Sequence, residues 1–180
     1  SGNIKLEFMN LNLNELVQQV NGEFAERFEG RNLDLICILQ PEPLLIRADS
    51  RRIWRVLENL YVNVCKYAMP GTRVYVDAIK KDGKIQLSIK NISENPLNFQ
   101  ADELTERFIR GDVSRSTEGS GLGLSIAKNL TVLQHGSFNI YLDGDLFKVT
   151  ITFDEAVKEK KPMPPMIVPE AVQEEAQQDA

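Results

Sequence analysis

Arg73-Val-Tyr-Val-Asp-Ala-Ile-Lys-Lys-Asp-Gly-Lys-Ile-Gln-Leu-Ser-Ile-Lys90 alternates apolar and polar residues on either side of Asp82-Gly83. Period-two alternation places successive side chains on opposite faces of a strand, and Asp-Gly supplies the two positive-φ positions of a tight hairpin. The stretch predicts two antiparallel strands, Arg73 to Lys80 and Lys84 to Lys90. Downstream, Ser137 to Leu142 and Leu146 to Phe153 repeat the pattern around Asp143-Gly144-Asp145. Two hairpins are incompatible with a doubly wound parallel sheet, in which strands alternate with helices.

Working outward, Pro70-Gly71 ends a helix that Asp49 opens and that runs to about Ala68, with Ile53, Leu57, Leu60 and Val64 as its apolar stripe. Leu33 to Leu39 and Leu44 to Ile46 read as short strands flanking Pro41-Glu42-Pro43. Leu13, Leu16, Val17, Val20, Phe24 and Phe28 recur at helical spacing from Leu11 to Phe28, with Asn12 or Asn14 available as the cap. A short helix is expected near Leu104 and a longer one from Leu122 to Leu133. The predicted fold class is α+β, a two-layer α/β sandwich with helices on one face of a mixed, mainly antiparallel sheet.

With 180 residues, 42% of them hydrophobic, the chain builds one sizeable core. The expected division is a linker over 1–10, in which Ser1-Gly2 reads as a cloning remnant, one domain over 11–153, and a Pro-rich, acidic, disordered tail over 154–180. A net charge of −5, with both signs interspersed, offers no cationic surface for nucleic acid. Cys37 and Cys65 are far apart in sequence, and the expectation is two buried free thiols in a reducing, cytoplasmic setting. No apolar run approaches the roughly 20 residues that span a bilayer.

Two features carry chemistry. Asn59 and Asn63 are one helical turn apart and point to one side, with Lys66 and Tyr67 a turn beyond. An amide oxygen is a neutral, hard ligand for magnesium already held by polyphosphate, Lys66 is a point charge for phosphate, and Tyr67 an amphipathic edge for sugar or base. Alone, two asparagines and a lysine also describe a solvated helix face. Arg110-Gly111-Asp112 and Arg115 lead into Glu118-Gly119-Ser120-Gly121-Leu122-Gly123-Leu124 just before a helix. Glycines admit close approach of the backbone, and helix N-terminal amides favour anions. A dinucleotide fingerprint ranks below this reading, because GxGxxG follows a hydrophobic strand and this GxGxG follows a polar segment.

Taken together, Asn59-Leu-Tyr-Val-Asn63-Val-Cys-Lys66-Tyr67, Glu106-Arg107-Phe108-Ile109-Arg110-Gly111-Asp112 and Gly119-Ser-Gly121-Leu-Gly123-Leu-Ser-Ile-Ala127 resemble the sensor histidine kinases of the GHKL superfamily. In order they resemble the asparagine, phenylalanine and second glycine boxes, over about Leu11 to Phe153. The resemblance implies a Bergerat-type sandwich that binds ATP and Mg2+ and transfers the γ-phosphoryl to a histidine on a separate dimerisation and phosphotransfer domain. It implies Asn63 as the magnesium ligand with Asn59 beside it and Lys66 acting on phosphate; Arg110 and Arg115, read from their place beside the glycines, either reach a terminal phosphate or are ordinary surface arginines. Gly119, Gly121 and Gly123, with Leu122 and Leu124 between and after them, wrap the phosphates, and Tyr67 borders the nucleoside. A downstream response regulator, a homodimeric membrane-anchored parent and a fragment able to stand as a monomer follow from the same resemblance.

Three departures shape the expectation. Where the family carries DxGxG, this chain has Asn91-Ile-Ser93-Glu-Asn95, so adenine is met by an uncharged acceptor, a loss on the order of 1 kcal/mol. A regulatory module with weakened nucleotide binding is the alternative that this loop supports. The only histidine, His135 followed by Gly136, reads as a helix terminator and not as the phosphoacceptor. Asn59 stands where hydrolytic relatives place a glutamate, and an amide is no base near neutral pH, which favours transfer over hydrolysis.

Overall fold

The computed structural model describes residues 5–97 and 122–157. Its elements are β1 (Phe8–Asn12), α1 (Leu13–Gly30), β2 (Asp34–Leu39), β3 (Leu45–Asp49), α2 (Ser50–Tyr67), β4 (Arg73–Lys81), β5 (Lys84–Ile92), α3 (Leu122–Leu133), β6 (Ser137–Asp143) and β7 (Leu146–Asp154). Five strands form a sheet in the order β2-β4-β5-β7-β6; β2 runs parallel to β4 and the other pairs are antiparallel. Asp82 and Gly83 both take positive φ, 53° and 74°, as a tight β4–β5 turn requires.

One face of the sheet is apolar. Val74, Val76 and Ala78 of β4, Ile85, Leu87 and Ile89 of β5, and Phe147, Val149, Ile151 and Phe153 of β7 are buried against the helical layer. From the helices, Val17, Val20 and Phe24 of α1, Ile53, Val56, Leu57, Leu60 and Val64 of α2, and Leu124 and Ala127 of α3 complete the core. The middle of the opposite sheet face is polar, where Ser88 meets Thr150 at 3.1 Å and Lys90 lies 3.6 Å from Asp77 and over the Tyr75 ring, while Ile38, Ile79 and Tyr141 are exposed around it. This is the expected two-layer sandwich.

The sequence reading falls short at the N-terminal side. Phe8–Asn12, of which Phe8 to Asn10 is expected as linker and Leu11-Asn12 as the start of the first helix, is a strand that pairs antiparallel with β3, from Phe8 opposite Asp49 to Asn12 opposite Leu45. β2 and β3 are therefore not partners, although they are neighbours in sequence. Asn12 caps α1 by accepting from the Asn14 N–H at 3.1 Å, and the Asn14 amide instead donates to the carbonyls of Gln40 and Glu42, fixing the proline turn. Cys37 and Cys65 are free and half-buried, not fully enclosed as expected. Burial pushes both thiols up from their ordinary range, which favours the neutral form. The helix expected near Leu104 lies outside the described residues. Among the described residues no helix is long and apolar enough to cross a membrane.

Asp49 joins three elements. Its carboxylate accepts from the N–H groups of Arg51 and Arg52, capping α2, and from the Glu7 N–H at 2.8 Å, anchoring the lead into β1. Its own N–H donates to Oε1 of Gln134, at the end of α3, at 2.9 Å. Burial alone would raise this carboxyl, but the backbone donors of Glu7, Arg52 and Arg51 and the Arg52 charge hold it below its ordinary value. Asp49→Ala is expected to lower unfolding free energy by about 1–2 kcal/mol in urea titrations at neutral pH. Because the folded pKa is depressed, the stabilisation by the charge is present above the unfolded value of about 4 and is lost as pH falls through the folded value. The gap between wild type and Asp49→Asn should therefore close below about pH 4 in the same titration.

Candidate nucleotide-binding site

α2 is amphipathic in two directions. Its core stripe faces the sheet, and around the helix from it stand Asn59, half-buried, and Asn63, 9% exposed. Nδ2 of Asn59 is sealed from solvent and has no hydrogen-bond partner among the described residues. Lys66 in the last turn is exposed and Tyr67 half-buried. A polar group that folding buries and leaves unpaired is costly, so such groups point to a partner that arrives later.

α3 closes on α2 at the same level. A Cβ built on Gly123 would lie 3.8 Å from both the backbone carbonyl oxygen and Oδ1 of Asn59. The first turn of α3 thus runs beside the middle of α2. Leu124 of this turn is 3% exposed and belongs to the core, so any part it takes in binding phosphate is through its backbone amide. Leu122 begins the helix. Gly119, Gly121, Arg110 and Arg115 lie outside the described residues.

The far end of α3 is fixed by its terminator. His135 takes φ +68°, its N–H donates to Val132 O at 3.0 Å and the Gly136 N–H to Thr131 O at 2.9 Å, a Schellman closure with histidine in the left-handed position. The His135 ring stacks on Phe8 at 5.7 Å. The lone histidine is thus structural, as its His-Gly context predicted. The Gln134 amide, 1% exposed, donates to Leu130 O at 2.8 Å while accepting from Asp49. Sequence reasoning missed Gln134 and Asp49 as a link between α3 and α2, since no local pattern signals a bond across 85 positions.

A second buried amide lies on β5. Asn91 follows Ile85, Leu87 and Ile89 on the buried face, is 3% exposed, and its Oδ1 has no hydrogen-bond partner among the described residues. The backbone after it is stapled to the C-terminal end of α2: Met69 N–H to Ile92 O at 2.8 Å, Glu94 N–H to Tyr67 O at 2.8 Å, and a bridge between Ala68 and Ser93. On the other side Ser93 N–H reaches Asp145 O at 2.7 Å. The strand end that carries Asn91 is therefore held against the C-terminal end of α2, the opposite end from its Asp49 cap.

Residues 48–157 match the family described as "Histidine kinase-, DNA gyrase B-, and HSP90-like ATPase". The signal transduction histidine-protein kinase BaeS of Escherichia coli K12 is 31% identical over 123 residues, covering 67% of this chain and 26% of BaeS. The nucleotide-free catalytic domain of histidine kinase ThkA superposes with a TM-score of 0.72 at 26% identity, over 83% of this chain and 99% of that one. ThkA in complex with response regulator protein TrrA gives 0.68 at 25% identity, over 86% of this chain and 44% of that one. The chain belongs to the histidine kinase-, gyrase B- and HSP90-like ATPase family and, within it, is an ATP-binding catalytic domain of the sensor histidine kinase type. It spans about a quarter of the length of the curated relatives it matches.

Proposed function

We propose that this domain binds magnesium-ATP between α2 and α3 and transfers the γ-phosphoryl to a histidine on a separate dimerisation and phosphotransfer domain of the same protein. The observation that carries the reading is that two of the buried, unpartnered side-chain atoms among the described residues are Asn59 Nδ2 in the middle of α2 and Asn91 Oδ1 at the end of β5 stapled to α2. In this reading a nucleotide completes both: Asn91 accepts from the adenine amino group and Asn59 donates towards phosphate. Asn63 offers a hard, neutral oxygen to the magnesium, whose charge, when bound, offsets that developing on the phosphates. Lys66 adds a cation from the rim, and the α3 amides with the residues from Gly119 to Gly123 cradle the phosphates. Arg110 and Arg115 reach the transferred group.

Transfer, not hydrolysis, is the expected chemistry. Asn59 cannot accept a proton from water near neutral pH, so the rate rests on positioning and charge neutralisation of an incoming imidazole. The regulatory-module alternative rests on the 91–95 departure alone, whereas a buried acceptor at Asn91 favours a ligand. A response regulator downstream is proposed by analogy with the ThkA–TrrA complex, and a homodimeric, membrane-anchored parent by analogy with sensor kinases. The test is calorimetric titration of the domain with magnesium-ATP, followed by phosphate-release and phosphotransfer assays with the histidine-bearing domain of the full-length protein. Binding, slow release alone and labelling of the added domain are expected. Fast release with no labelling would overturn the transfer reading.

A further inference from the structure

Asn91 is the one polar member of the buried row Ile85, Leu87, Ile89, Asn91 on β5. Its backbone cannot shift to suit a ligand, because β5 pairs it with Phe147 of β7 and the residues after it are stapled to Tyr67, Ala68 and Asp145. Any adjustment is left to the side chain, whose terminal torsion is broad and roughly two-fold. A carboxylate in this place would only accept hydrogen bonds. An amide accepts through Oδ1 and, turned by half a rotation, donates through Nδ2. Purine bases differ in the same sense at their 6-position: a 6-amino group donates, a 6-oxo group accepts.

We propose that Asn91 sets the base selectivity of the nucleotide site and leaves it open, so that the domain takes 6-oxo purine nucleotides as well as adenine nucleotides. The proposal rests on the nucleotide-binding reading above and adds the identity of the base to it. For a 6-amino purine the Oδ1 atom that is unpartnered here receives its missing donor; for a 6-oxo purine the turned amide supplies one. Either orientation pairs the base edge, which a site built to discriminate would not permit.

The decisive measurement is calorimetric titration of the whole chain with magnesium-ADP and, separately, magnesium-IDP, whose base differs at the 6-position and in the N1–H that goes with it but lacks the 2-amino group of guanine. Dissociation constants within tenfold of each other are expected for the wild type. Asn91→Asp should weaken IDP at least tenfold relative to ADP, because an acceptor then faces an acceptor. A wild-type preference for ADP above tenfold, with ADP binding intact, overturns the proposal while leaving the nucleotide reading in place. An unchanged ratio in a folded Asn91→Asp chain overturns it too, and the wild-type ratio stands as a test if that variant does not fold. Absence of magnesium-ADP binding sinks the nucleotide reading, and this proposal with it.

Discussion

Asn63→Ala is expected to reduce magnesium-dependent ATP binding and phosphotransfer by at least about 100-fold while leaving the fold intact. The residue is 9% exposed one turn on from Asn59, and in the proposed site it supplies the protein's oxygen to the metal. Magnesium keeps few protein ligands, so removing one leaves little to replace it. The fold should survive because alanine is the better helix former by roughly 0.5 kcal/mol and the apolar stripe of α2 is untouched. Titration with ATP in magnesium and again in EDTA separates the effects: the variant should lose the magnesium-dependent part of the affinity and keep the remainder. Lys66→Ala, at an exposed rim, should cost only about fivefold, or ~1 kcal/mol. Equal losses at the two positions would count against Asn63 as the metal ligand.

Gly136→Ala should be the most destabilising single methyl addition among the described glycines. A Cβ there would stand 2.7 and 2.8 Å from two carbons of the Phe153 ring and 2.9 Å from Thr131 Cγ2. Phe153 and Thr131 are buried, and the Gly136 N–H is held on Thr131 O by the helix closure, so neither side yields freely. Overpacking of this kind costs about 2–3 kcal/mol, to be read from urea unfolding of the variant. Gly22→Ala, inside α1 with no atom within 4 Å of the added carbon, is the control and should stabilise by about 0.5–1 kcal/mol. Phe153→Leu in the Gly136→Ala background should recover part of the loss. An undisturbed Gly136→Ala would mean that the end of α3 does not pack on β7 as closely as described.

Much of the layered architecture is local in origin and was therefore readable. The Asp82-Gly83 turn and the alternation from Arg73 to Lys90 specify their hairpin within 18 residues, and Asp49 announces α2 because a cap acts on amides two and three positions away. The same holds for His135-Gly136, whose closure joins residues of one turn. β1 was missed because Phe8-Met-Asn-Leu-Asn12 has no turn signal and pairs with a strand whose register partners lie 33 to 41 positions on. The parallel alignment of β2 with β4 has the same character: it crosses the whole of α2.

The candidate site divides along that line. Residue types and spacing brought Asn59, Asn63 and Gly123 forward as candidates, because helical periodicity puts the asparagines on one side and glycine before a helix is a local signature, and their proposed roles came from the family resemblance. That Gly123 comes to rest against Asn59, that Gln134 reaches Asp49, and that Asn91 is sealed with an oxygen unpaired among the described residues are outcomes of packing between distant elements. Sequence alone thus determined which chemistry the chain carries, since chemistry follows from side-chain type and local period. Only the tertiary structure decided which of those groups are dry and left unsatisfied, because burial depends on the contacts of the whole fold.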